Sequence, residues 1–288
     1  MGTWSPDTNG ATSGNDTFTG DATAETADGL GGDDTLNGAD GSDTLNGGDD
    51  NDLLDGLNNN DTLNGGEGAD TLYGRQNDDT LNGDAGADTL YGGDGADTAN
   101  GGADNDLLDG GNGNDNLAGA DGEDTVYGRQ GDDILNGDAG ADTIYGGDGI
   151  DNIGGGSGDD FIDGGNGNDR IGSADGNDTV TGGANADTFV FTHALGAGNV
   201  DTITDFNVAD DTIELDVDVF TAIGLGALAA NAFVIGSAAG DSDDRIIYDA
   251  ATGALYYDAD GNGAGAAIQF AILGTGLALT ASDFVGGP

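Results

Sequence analysis

Acidic side chains recur in this chain at a fixed interval of nine residues. The series starts at Asp16 and Glu25 and runs on through Asp34, Asp43, Asp52, Asp61, Asp70, Asp79, Asp88, Asp97, Asp106, Asp115, Asp124, Asp133, Asp142, Asp151, Asp160, Asp169, Asp178 and Asp187. Carboxylates are hard oxygen donors, so a regular column of them suits the binding of hard multivalent cations. Glycosidase-type acid–base chemistry needs two unlike carboxyl environments in one cleft, whereas this series offers many similar ones. A lone aspartate is ordinarily a solvated surface charge; the strict register is what points to ligation. Asp33, Asp78 and Asp132, or Asp49 and Asp94, keep no such register and read as surface charge.

The elements that must position these carboxylates follow from the same period. From Ala11 to Val190 the chain divides into twenty nine-residue units with no insertion or deletion. Counting from Ala11, position one is Gly everywhere except Ala11 and Ser173, which predicts a tight turn beginning there. Position four is Gly, Asn or Asp in every unit but that of Thr23, and these residue types tolerate left-handed backbone. Position six carries the carboxylate. Position eight is Leu, Ile, Val or Phe except at Ala27 and Ala99. One large apolar residue in nine fits neither a helical face nor a long alternating strand; it predicts a six-residue turn and a three-residue strand whose middle side chain points inward. Two units make an 18-residue coil, and such coils stack into two facing parallel sheets. A core of two rows of position-eight side chains is too thin to offset chain entropy unaided.

Composition points the same way. The 288 residues include 60 glycines, 56 acidic side chains, four arginines, no lysine and no cysteine, for a net charge of -52. Self-repulsion and the entropy of glycine oppose folding, so a counter-charge must supply what the core does not. Nucleic acid and anionic membranes are recognised through clustered Lys and Arg, so neither is expected as a partner. No disulfide is available, and a metal is the remaining cross-link. Residues 1–10 show no basic and apolar signal-peptide pattern, and no apolar run is long enough for a transmembrane segment.

The units Gly92-Gly-Asp-Gly-Ala-Asp97-Thr-Ala-Asn and Gly110-Gly-Asn-Gly-Asn-Asp115-Asn-Leu-Ala resemble the G-G-x-G-x-D-x-U-x nonapeptide of RTX, or hemolysin-type, proteins. The resemblance implies calcium as the ion, held by the position-six aspartates named above. Calcium takes six to eight oxygens, and a glycine turn exposes several carbonyls around one carboxylate; two turns stacked one coil apart complete the shell. Twenty units then allow at most eighteen sites, whose ions nearly balance the 41 acidic residues and three arginines of the repeat block. The expected fold is all-β, a right-handed parallel β-roll or β-solenoid of about ten 18-residue coils with a C-terminal β-rich cap.

After Val190 the period stops. Asp201-Thr-Ile-Thr-Asp-Phe206, Asp211-Thr-Ile-Glu-Leu215, Arg245-Ile-Ile-Tyr-Asp249 and Leu279-Thr-Ala-Ser-Asp-Phe284-Val look like the C-terminal region of RTX proteins, serralysin-type proteases included. In that family the extreme C-terminus is a type I secretion signal. The resemblance therefore implies a type I transporter as a partner and an extracellular or cell-surface location. The expected organisation is an N-terminal lead over 1–10, a repeat block over 11–190 and a cap with the secretion signal over 191–288. Asp258-x-Asp-Gly-x-Gly has the start of an EF-hand loop, but Gln269 stands at its twelfth place and a hairpin turn is the better reading.

Residues 47–100 and 101–154 are near copies, each six units long. Tyr73, Tyr91, Tyr127 and Tyr145 fall at position nine of alternate units, and Asn46, Asn64, Asn82, Asn100 and Asn136 at position nine of the others. Stacked aromatics and Asn ladders favour in-register parallel strands, and the tyrosines are also a candidate contact for a glycan or a second copy. The single histidine, His193, excludes a two-histidine zinc motif, and no Ser–His pair has a credible setting, so no enzyme is expected. Two functions remain: a secreted, non-catalytic calcium-binding solenoid serving as a structural, adhesive or self-assembling surface element, or the export and folding module of a type I secreted hydrolase without its catalytic domain.

Overall fold

The computed structural model describes residues 2–5 and 11–288; Met1 and residues 6–10, six of the ten residues of the expected N-terminal lead, lie outside the described residues. Two compact units cover the chain, Met1–Gly149 and Ile150–Pro288. The fold is an all-β parallel solenoid of about ten 18-residue coils, with two single-turn 3-10 segments at Ala230–Ala232 and Ala281–Asp283. No helix of the described residues is long and apolar enough to cross a membrane.

Within Met1–Gly149 each nonapeptide gives one strand, and each strand pairs with the strand two units on. Thr71–Gln76 lies parallel to Thr89–Asp94 in the register Leu72 to Leu90 and Tyr73 to Tyr91. Thr80–Ala85 pairs with Thr98–Ala103 in the other sheet. A register of eighteen residues turns each place of the nonapeptide into a column. Position eight is the apolar column, with Leu36 to Leu90 at 0–1% exposed. Outside, Asn82 donates to Asn64 and Asn64 to Asn46, each at 2.7 Å, forming an amide ladder. At the N-terminal edge Thr3–Ser5 runs antiparallel to Thr17–Thr19 and covers a row of backbone groups that would otherwise invite edge pairing.

Two expectations need correction. The strands from Thr44 onward in this unit are six residues long, spanning positions seven to nine and then one to three, so the turn is confined to positions four to six. The cause is a left-handed residue at position two, between two extended segments that both join the ladder. Leu30 has φ 79°, Leu57 77°, Arg75 85° and Arg129 82°. Position four is left-handed as expected, and Asn59 and Asn77 adopt it alongside the glycines. The second correction concerns the core. Besides the apolar column it buries a column of carboxylates, Asp34 to Asp142 at 1–4% exposed.

Within Ile150–Pro288 the repeat continues to Thr188–Phe191, and the aperiodic tail extends both stacks. Asp201–Ile203 adds to Thr179–Ala184, followed by Ile268–Ile272 and the antiparallel strands Ala254–Tyr257 and Ile246–Asp249. Thr212–Asp216 adds to Thr188–Phe191, followed by Phe284–Gly287. Residues 258–267 link two antiparallel strands, as a hairpin loop does. Here aromatic packing replaces the one-residue column: Phe220 meets Phe270 and Tyr257 edge to face at 5.2 and 5.1 Å, and Phe191 meets Phe270 at 5.2 Å.

Candidate metal centre

Asp97 shows how each repeat holds its carboxylate. The side chain is 1% exposed at the end of the turn. Its Oδ1 accepts the backbone N–H of Asp79, one coil back, at 2.8 Å, and its own N–H donates to Asp115 Oδ1, one coil on, at 2.8 Å. The same link joins Asp34 to Asp52, Asp52 to Asp70 and Asp70 to Asp88 at 2.7 Å. Oδ2 has no such partner. In every repeat aspartate from Asp34 to Asp124, and in Asp169 and Asp187, it is a buried acceptor without a hydrogen bond. Leaving a charged oxygen so placed costs more than 1–3 kcal/mol, so an orphan repeated down two columns calls for a ligand.

Position-one glycine explains where that oxygen lies. A Cβ on Gly92 would overlap Asp97 Oδ2 and come within 2.7 Å of the Gly110 carbonyl oxygen, and Gly65, Gly74 and Gly101 repeat the pattern. The glycine is therefore not the start of a turn; it is the bare backbone that lets the carboxylate oxygen and a carbonyl of the next coil approach one spot. Ser173 is the exception that fits the rule, because its hydroxyl donates to Asp201 Oδ2 at 2.7 Å.

Burial sets the electrostatics. It pushes Asp52, Asp79, Asp88, Asp106 and Asp115 up to about 7 and Asp61, Asp97 and Asp142 up to about 6, while the amide N–H from the preceding coil pulls the other way. Repulsion adds to this; Asp97 and Asp61 both raise Asp79. Among the described residues no group of three or more His, Cys, Asp or Glu converges on a metal-sized position. The donor set is one carboxylate per turn together with backbone carbonyls, which suits calcium and offers nothing to a thiolate- or imidazole-seeking metal.

The sequence-derived residues are not all alike. Asp16 is 7% exposed, and its Oδ2 is satisfied locally by the Thr12 N–H at 2.6 Å and hydroxyl at 2.9 Å. Glu25 accepts the Asp21 N–H at 2.9 Å in the same local manner. Two acids that the period did not reveal join the ladder in Ile150–Pro288: Asp201 Oδ1 accepts the Asp178 N–H at 3.2 Å, and Asp211 Oδ1 accepts the Asp187 N–H at 3.0 Å. Their signal was present, since Asp201-Thr-Ile and Asp211-Thr-Ile repeat the Asp-Thr-apolar sequence of positions six to eight. Burial pushes Asp201 up to about 7. Replacing Asp201 by Ala removes the acceptor of both Asp178 and Ser173, and an expected loss of about 2–4 kcal/mol should appear as a lower midpoint in calcium-saturated thermal unfolding.

A parallel solenoid with one buried acid and two left-handed residues per nonapeptide defines a class of calcium-organised repeat. The family model for the RTX calcium-binding nonapeptide repeat matches this chain in ten overlapping stretches that together run from residue 11 to residue 189. The chain belongs to that family, whose repeats bind calcium. No curated protein sequence matches it significantly. Among solved structures, the solution structure of the AlgE6R3 subunit from the Azotobacter vinelandii mannuronan C5-epimerase is 23% identical, with 64% of this chain and 78% of that chain covered and a TM-score of 0.27.

Proposed function

We propose that the position-six aspartates hold calcium through their second carboxylate oxygen, each ion lying between successive turns of one stack, and that the ions make the fold. The column of buried, unpartnered Oδ2 atoms carries this reading. Asp34 to Asp124, Asp169 and Asp187 supply this oxygen; Asp16, whose Oδ2 is taken up by its own loop, stands at the edge of the array, as does Glu25, which accepts the Asp21 N–H through Oε2. The chain acts outside the cell as a non-catalytic surface or matrix scaffold. It leaves through a type I transporter as an unfolded, self-repelling chain and folds where calcium is abundant. In this reading residues 11–190 are the ion-built scaffold, and residues 191–288 close its end and carry the export signal.

Calorimetric ion counting tests the ligand assignment. Asp97→Asn removes one charge, and Gly92→Ala places a methyl on Asp97 Oδ2; each should lower the number of calcium ions bound per chain by one or two. An unchanged count in both variants would show that these turns are not the site. Negative-stain imaging at millimolar calcium addresses the role: ordered assemblies support a scaffold, and a strictly monomeric product supports an export module.

A further inference from the structure

Six nonapeptides of Met1–Gly149 end in asparagine at position nine, and each of these is followed directly by the position-one glycine of the next unit. They are Asn37 in one sheet and Asn46, Asn64, Asn82, Asn100 and Asn136 in the other. Ion binding uses none of the six amides. Asparagine before glycine is chemically fragile, because without a Cβ on the following residue nothing hinders its backbone nitrogen from attacking the side-chain amide carbon.

The folded chain blocks that attack. All six following glycines are buried. The Gly38 N–H donates to the Asp55 carbonyl one coil on at 2.9 Å, and Gly20, also at position one, donates to that of Asn37 at 2.7 Å. The side chains are held as well: Asn82 gives its amide to Asn64 and Asn64 to Asn46, each at 2.7 Å, and Asn46 gives its own to Asp28. An extended strand also points each side chain away from the peptide that follows, so ring closure requires the strand to open. Asn262 and Gly263, in the loop 258–267 of Ile150–Pro288, form the same pair but are both exposed and lie outside any strand.

We propose that the position-nine asparagines are self-modification sites that folding closes, with water as the only reagent, so that a chain left unfolded is chemically retired. The glycine nitrogen bonds to the asparagine Cγ, the Cγ–Nδ2 bond breaks, and ammonia leaves with the glycine's amide proton. Water then opens the succinimide ring at either carbonyl, giving aspartate or isoaspartate. Either product harms the coil. Aspartate in place of Asn64 still accepts from Asn82 but has no proton to give Asn46, and it adds negative charge to a chain already at -52. Isoaspartate inserts an extra backbone carbon ahead of Gly65, and so moves that glycine off the spot where Asp70 Oδ2 lies against it. Modified chains therefore cannot close their ion-binding turns.

This rests on calcium being what folds the chain, so its test separates the two. Full-length protein is aged at pH 8 in calcium, in chelator, or in chelator with concentrated urea. Far-UV circular dichroism is recorded on each sample, and peptide mapping by mass spectrometry follows the amide-to-acid conversion. In calcium the six sites should convert about tenfold or more slowly than in urea, while Asn262 converts at similar rates in both. In chelator the six should convert at the urea rate. When calcium is then restored and compact chains are separated from expanded ones by gel filtration, isoaspartate at position nine should concentrate in the expanded fraction. Asn46→Thr with Asn64→Thr, Asn82→Thr, Asn100→Thr and Asn136→Thr should lose refolding capacity about threefold or more slowly on ageing, since Thr19 and Thr181 already occupy position nine. Should that variant not fold, the distribution of isoaspartate in the aged wild type decides. Equal conversion in calcium and urea would overturn the proposal, and so would isoaspartate spread evenly over compact and expanded chains. A chelated chain that keeps its strand signal and converts slowly would still show folding closing the sites, and would fail the calcium requirement instead.

Discussion

Stripping calcium at pH 8 is expected to abolish the strand signal of the full chain, and restoring calcium should bring it back over a narrow concentration range with a Hill coefficient above two. The magnitude follows from the buried acids. A carboxylate held near 7 in the fold and near 3.8 when unfolded costs the ionised native state about 4 kcal/mol. A handful of such sites already exceeds the 5–15 kcal/mol by which ordinary domains are stable, so at pH 8 the calcium-free fold lies above the unfolded chain. Each site that binds calcium adds about 2.7 kcal/mol at a hundredfold excess over its dissociation constant, besides cancelling the charge. Cooperativity comes from the ladder: ordering Asp97 fixes the amide acceptor of Asp79 and presents its own N–H to Asp115, so a filled coil prepares the next. Far-UV dichroism against free calcium measures this. A complete strand signal in excess chelator at pH 8 would overturn the calcium requirement.

What could be read from the sequence was whatever the nine-residue period imposes on side-chain type. Position eight must be apolar because it is enclosed, position four must accept left-handed backbone, and the acid keeps its place because a column of coils superimposes it. Position two escaped notice for a physical reason: nine of its left-handed residues are Leu, Ala, Arg or Asp, at φ 71–85°, and such types conceal a strain of about 1–2 kcal/mol that the ladders on either side sustain. Position-one glycine was legible as a requirement but not as a cause, since only the structure shows the carboxylate oxygen against its backbone. Asp201 and Asp211 were hidden because the spacing lengthens to 23 and 24 residues once the hairpin tail begins, although their hydrogen bonds continue the ladder. The aromatic packing of Phe191, Phe220 and Phe270 depends on contacts distant in sequence and leaves no periodic trace.

Acid should partly replace calcium. Asp52, Asp79, Asp88, Asp106 and Asp115 have folded-state values raised to about 7, and Asp61, Asp97 and Asp142 to about 6, against an unfolded value near 3.8, so between these limits the native state binds more protons than the unfolded one. Their contribution to stability is fully present below the unfolded value and is lost as pH rises through 6 and 7. Lowering calcium-free protein from pH 8 to pH 5 should therefore return about 2.5 kcal/mol for each carboxylate held near 7 and about half that for each held near 6. Strand signal should reappear near pH 5 without calcium, and Asp79→Asn with Asp97→Asn should move the transition toward neutral pH by removing two charges that otherwise need a proton. Calcium binding must follow the opposite course, its half-saturation rising as pH falls from 7 to 5, because proton and ion compete for the same oxygen. Dichroism across pH 4.5–8 in calcium-free buffer reads both the transition and its displacement. A chain that stays unordered throughout would mean that the carboxylates are not buried as described.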